Sequence, residues 1–163
     1  MSDAHDHGHG HAGCPGARVL HFAEQNERAE EQPGIRPSQL RHWPIQLHLV
    51  PPTAPYFQNA DLLLAADCVA YALGDFHQDH LQGHALAIAC PKLDEGLDIY
   101  REKITALVDE AKINTLTVMI MQVPCCSGLL QVAKSAVEQA TRKIPIKVKV
   151  VSLQGEILKE EWV

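Results

Sequence analysis

Aromatic residues are scarce in this chain, 5% of the total, and Trp occurs only twice. The core must therefore be built mostly of Val, Leu, Ile and Ala, and there is enough of them, since hydrophobic residues make up 46%. Positive charge is also short. Fourteen Lys and Arg stand against 20 Asp and Glu, for a net charge of -6, with no dense basic patch. This argues against a general attraction for nucleic acid or anionic lipid. No stretch reaches the ~18 consecutive apolar residues of a membrane helix. The polar, His-rich N-terminus has no apolar segment of the kind a secretory signal requires. Three motifs are missing as well: GxGxxG after a strand, the Walker A sequence and GxSxG. Dinucleotide binding, ATP hydrolysis and serine hydrolase chemistry thus lack support.

The 163 residues fit one domain of ordinary size. Five cysteines, an odd number with no ladder-like spacing, do not suggest an extracellular disulfide framework. The expected compartment is a reducing cytoplasm, with the thiols free or bound to metal.

Residues 1–39 read as a flexible arm. They hold HDHGHGHAGCPG and the charged run AEQNERAEEQPG, with too few large apolar residues to offset the entropy of ordering. Residues 40–163 read as a single α/β domain. Strands are expected at Ile45–Val50, Asp61–Asp67, His84–Cys90, Thr115–Val123 and Ile146–Leu153, and helices at 97–112 and 127–143. The run DLLLAAD has the continuous apolar character of a strand buried on both faces. A turn at Gln154-Gly155 returns EIL as a short hairpin. Strands alternating with helices imply right-handed crossovers. The result is a mostly parallel sheet with helices on both faces, a three-layer arrangement of the Rossmann-like kind.

In such a sheet, ligands bind outside the carboxyl ends of the strands, and here that edge is rich in sulfur. Cys68 follows the run ending AAD, Cys90 closes ALAIAC, and Cys125 and Cys126 follow the next strand where a helix begins. Thiolates are ligands for soft metals and iron–sulfur clusters. A helix start lowers a thiol's pKa, which would favour Cys125 or Cys126 as a nucleophile. The blander alternative is that buried cysteines act as small hydrophobes. There is no CxxC anywhere in the chain.

His5, His7, His9 and His11 form a tract able to bind Zn or Ni loosely, or simply a polar tail. Cys14 behind it is placed to complete a site from a tethered arm. His77 and His80, three apart, would share a helical face and supply nitrogen ligands, or else form part of a polar connection. His42 and His48 read as structural. Asp67, a carboxylate at the end of a buried strand, reads as a helix cap or a source of local negative charge.

The stretch RPSQLRHWPIQLHLVPPTAPYFQNADLLLAADCVAYALGDFH, followed by ACPKLD and VPCC and preceded by GCPG, carries a resemblance over about Cys14 to Leu158. It resembles the C-terminal domain of ferredoxin-type iron–sulfur cluster-binding proteins of anaerobic bacteria. In that family the domain follows a module carrying two ferredoxin-like clusters. This chain lacks that module and its CxxCxxCxxxCP ligands. The resemblance singles out Cys14, Cys68, Cys90, Cys125 and Cys126.

The leading expectation is a metal- or iron–sulfur-binding redox accessory domain. The cofactor would be a cluster, with 4Fe-4S the candidate type, or one soft ion such as Zn. Cys68, Cys90, Cys125 and Cys126 would be the ligands, with His77 and His80 as additional candidates. The expected partner is an electron-transfer protein, and a homo-oligomer is allowed. The alternatives are a thiol enzyme using Cys125 or Cys126 and an interaction domain with inert cysteines.

Overall fold

Apolar runs bounded by proline, glycine and acidic residues become the strands of one central sheet. The computed structural model describes residues 17–22 and 34–163. In chain order the elements are β1 (Leu20–His21), β2 (His42–Trp43), β3 (Asp61–Ala66), α1 (Val69–Ala72), β4 (Ala85–Ala89), α2 (Leu97–Asp109), β5 (Thr115–Met121), α3 (Ser127–Gln139), β6 (Ile146–Val151) and β7 (Ile157–Trp162). A π-type turn, His77–Leu81, lies between α1 and β4.

The sheet has the order β4-β3-β5-β6-β7. Its first four strands run parallel, and β7 returns antiparallel along β6. The chain steps one way from β3 to β4, then the other way to β5 and on to β6. Right-handed crossovers therefore place α1 and the π-type turn on one face and α2 and α3 on the other. Helices on both faces bury the inner strands, and Leu62, Leu63, Leu64, Leu116, Val118 and Met119 have at most 1% of their surface exposed. The expected mostly parallel, three-layer architecture is the observed one.

Several boundaries differ from expectation, each for a local reason. Ile45–Val50 is not a strand. Only Gln46 bridges to Ile88, and the amides of Leu49 and Val50 then turn back to the Gln46 carbonyl. The helix expected to run to 112 stops at Asp109, and Lys112 nearby takes a left-handed φ of 56°. The helix expected to run to 143 stops at Gln139. There Lys143 folds back and donates to the carbonyls of Val137, Glu138 and Ala140, satisfying the acceptors left open at a helix end. The returning hairpin strand is six residues long rather than a short EIL. Its turn requires Gly155, since φ is +84° and a Cβ would lie 2.3 Å from the Ala72 carbonyl oxygen.

Part of the segment read as a flexible arm is structured, because Leu20–His21 pairs antiparallel with His42–Trp43. The expectations for the His tract and for Cys14 fall outside the described residues. Among the described residues no helix is long and apolar enough to cross a membrane.

Candidate thiol site at the carboxyl edge

Strand order decides whether the cysteines meet. The strands β4, β3 and β5 are direct neighbours and parallel, so their carboxyl ends share one edge. Neighbouring strands lie ~4.8 Å apart. Ala66 is in register with Ala89, which brings Asp67 level with Cys90, and the Asp67 amide donates to the Ala89 carbonyl at 3.1 Å. Cys68 stands one residue further on, at the start of α1. On the other side of β3, the chain leaves β5 through a tight turn, Pro124–Cys126, into α3. The start of α3 approaches the loop after β4 closely enough that a Cβ on Gly128 would lie 3.4 Å from the Pro91 Cβ.

The edge is also where the crossovers diverge, with β3 feeding one face and β4 and β5 the other. In open α/β sheets the crevice at such a switch point is where ligands bind.

The thiols differ in exposure. Cys68 and Cys125 are exposed, Cys90 is half-buried and Cys126 is buried. Burial pushes the Cys126 thiol above its ordinary pKa, and the neighbouring Cys125 and Cys68 push it the same way. A hydrogen bond with the Met121 backbone opposes this. Burial thus works against a thiolate at Cys126.

Around Cys90 the chain forms a clamp. The Asp94 Oδ2 accepts the Cys90 amide at 2.8 Å and also the hydroxyl of Tyr100, and the Asp94 amide returns to the Cys90 carbonyl at 2.9 Å. Tyr100 is fully buried. Burial raises its hydroxyl well above the usual range, helped by the hydrogen bond to Asp94 and by the Asp94 charge. Asp67 faces the same pocket of charge. Its carboxyl is raised by burial and then by Asp94, while a hydrogen bond from Gln46 pulls it back in part. Its Oδ1 is buried without a hydrogen-bond partner.

Among the described residues no three His, Cys, Asp or Glu side chains converge closely enough to hold one metal ion. His77 and His80 stand apart from the thiols, on the turn that leads to the amino end of β4. The His77 Nδ1 accepts the Gln39 amide at 3.0 Å, and the His80 Nδ1 lies 3.5 Å from the Lys149 Nζ. His42 is structural: it is 1% exposed, stacks on Tyr56 at 4.1 Å and accepts the Leu86 amide at 2.9 Å. His48 packs against Tyr100. Asp94, Tyr100 and Gln46 were not singled out from the sequence. The signal available was an acid four residues after Cys90, in CPKLD.

The family model for the Rossmann-like domain matches residues 54–163. The chain belongs to this family. The matched region of the Rossmann-like domain contains all four described cysteines. A protein of Archaeoglobus fulgidus, itself uncharacterized, is 29% identical over 119 residues, covering 73% of this chain and 83% of its own length. No solved structure matches. Neither match names a ferredoxin or an iron–sulfur protein.

Proposed function

We propose that this Rossmann-like domain is a redox accessory module whose carboxyl-edge thiols hold an iron–sulfur cluster and pass electrons to a protein partner in a reducing cytoplasm. One observation carries the reading: three neighbouring parallel strands each lead into cysteine at the edge where this fold binds ligands. The resemblance of the ACPKLD and VPCC segments to ferredoxin-type proteins of anaerobic bacteria points the same way.

Four thiols are the donor chemistry of an iron–sulfur cluster or of one soft ion such as Zn. Among the described residues no three potential ligands converge on one point, so either group would need the thiols drawn closer together. Cys68, Cys90 and the Cys125-Cys126 pair would hold it, with Cys14 of the N-terminal arm as a further thiol. The group would supply one-electron chemistry of its own. The protein contributes position. Asp94 fixes the Cys90 loop by accepting the Cys90 amide.

Anaerobic reconstitution of the full chain with ferrous iron and sulfide tests this. Brown protein with stoichiometric iron and acid-labile sulfide is the expected result. Protein that stays colourless and iron-free after reconstitution contradicts it. A second reading rests on Cys125, which is exposed beside Cys126 where the 13-residue α3 begins. Thiol chemistry at Cys125 without metal would show as one fast-alkylating cysteine at neutral pH in iron-free protein.

A further inference from the structure

The two outer edges of the sheet are finished differently. Along β4 the outward groups are occupied. The Leu86 amide donates to His42 at 2.9 Å, the Ile88 amide to the Ile45 carbonyl at 2.8 Å, and the Ile88 carbonyl accepts the Leu47 amide at 2.8 Å. Along β7 nothing among the described residues pairs with the outer edge, and all six residues are exposed. Leu158 and Trp162 are 55% and 59% exposed, and Ile157 and Val163 are also open to solvent. An unpaired edge of this kind is a template for another strand. A lone lysine in mid-strand ordinarily guards such an edge, and Lys159 occupies that position.

We propose that β7 is a homodimer interface, on which β7 of a second copy adds antiparallel about a two-fold axis at Glu160, joining both sheets into one. The sequence of the strand singles out this register. A two-fold axis normal to the sheet keeps every residue on its own face, so paired residue numbers must sum to an even value. The rule holds over the regular part of the strand, Lys159 to Trp162, because a bulge leaves Leu158 without a partner on β6. An axis at Lys159 would oppose two lysines, whereas an axis at Glu160 sets Lys159 against Glu161 of the second copy, a pair that occurs twice. Opposite charges are a favourable cross-strand combination. The guarding lysine thus meets its complement. The like-charged Glu160 pair on the axis is neutralised within each copy, since its carboxylate lies 3.0 Å from the Lys147 Nζ and 3.7 Å from the Lys149 Nζ. Trp162 is held ready by Lys147, whose Nζ lies 4.6 Å from the ring centre. Within one chain Lys159 also meets Glu161 at 2.6 Å, an exposed pair that contributes little to stability.

Sedimentation velocity and light scattering on the full chain test it. Wild-type protein is expected to dimerise with increasing concentration. Lys159→Glu and Glu161→Lys each place like charges twice across the axis, and each is expected to raise the dimer dissociation constant at least about tenfold. Mixing the two variants pairs opposite charges again and should restore a heterodimer. Circular dichroism and melting temperature check that both remain folded. If either reversal unfolds the chain, Lys159→Gln and Glu161→Gln, which only remove the attraction, serve in its place and should weaken the dimer. Three results would overturn the proposal: a wild-type monomer up to the solubility limit, a dimer indifferent to these changes, or charge-reversal variants that fail to recombine.

Discussion

The half of the sheet made of β4, β3 and β5 and the half made of β6 and β7 follow opposite rules. In the first, nearly every side chain is buried on both faces, and the strands end in thiols and carboxylates. In the second, β6 alternates buried and half-buried residues, with lysines on one face, and β7 is exposed throughout. The apolar half packs beneath its carboxyl edge, where Asp94 meets the Cys90 amide and Asp67 lies close enough to feel the Asp94 charge. The polar half carries ion pairs and a cation–π contact that tolerate change. The buried packing is therefore concentrated in three strands, and the exposed charge and apolar surface lie on the remaining two.

Mutations sharpen that contrast. The largest effect belongs to the central strand. Leu63 is 1% exposed, and Leu63→Ala should cost about 2–5 kcal/mol in denaturant unfolding. A cost under about 1 kcal/mol would mean that β3 is not the centre of the core.

The next effect is on acid stability. His42 is buried beside β4, and burial lowers its pKa from 6.5 to about 4. The unfolded chain then binds a proton below pH 6.5 that the folded chain refuses. Stability from this group is complete above pH 6.5 and is lost as the pH falls towards 4, by up to roughly 3 kcal/mol. Asp67, whose carboxyl is raised, acts in the opposite sense, so the His42 contribution is read by difference. His42→Gln should flatten the pH dependence of unfolding between pH 6.5 and 4, and an unchanged profile would refute the assignment.

A smaller loss is expected at the clamp. Tyr100→Phe removes a donor to the Asp94 carboxylate and should cost about 1.5–3 kcal/mol. The smallest is on β7. Leu158→Ala should change the stability of the monomer by no more than about 0.5 kcal/mol, as for exposed positions elsewhere. Parity between Leu158→Ala and Leu63→Ala would abolish the distinction between the halves.

The apolar half was also the half legible in the sequence. DLLLAAD, HALAIAC and TLTVMIMQV are continuous apolar runs stopped by acid or proline, so both the strands and the placement of cysteine at their ends could be read directly. Segments that depend on tertiary partners could not. Ile45–Val50 alternates like a strand, yet its backbone turns after one bridge to Ile88. The pairing of Leu20–His21 with His42–Trp43 is too short to leave a periodic signal. The Asp94–Tyr100 clamp joins a loop to a helix, and spacing alone does not reveal that their side chains meet. His77 and His80 were plausible ligands by spacing, but strand direction carries them away from the carboxyl edge. The raised thiol at Cys126 follows from burial, which a helix-start rule ignores.

If the carboxyl-edge cysteines hold a cluster, as proposed, the histidines of the π-type turn are dispensable for it. Iron and acid-labile sulfide should be measured after anaerobic reconstitution of Cys90→Ser and of the double variant His77→Ala/His80→Ala, with melting temperatures taken on the same samples. Cys90→Ser is expected to lose most of its iron while staying folded, and the histidine variant to retain it. Full iron in Cys90→Ser would contradict this and leave Cys90 a packing residue only.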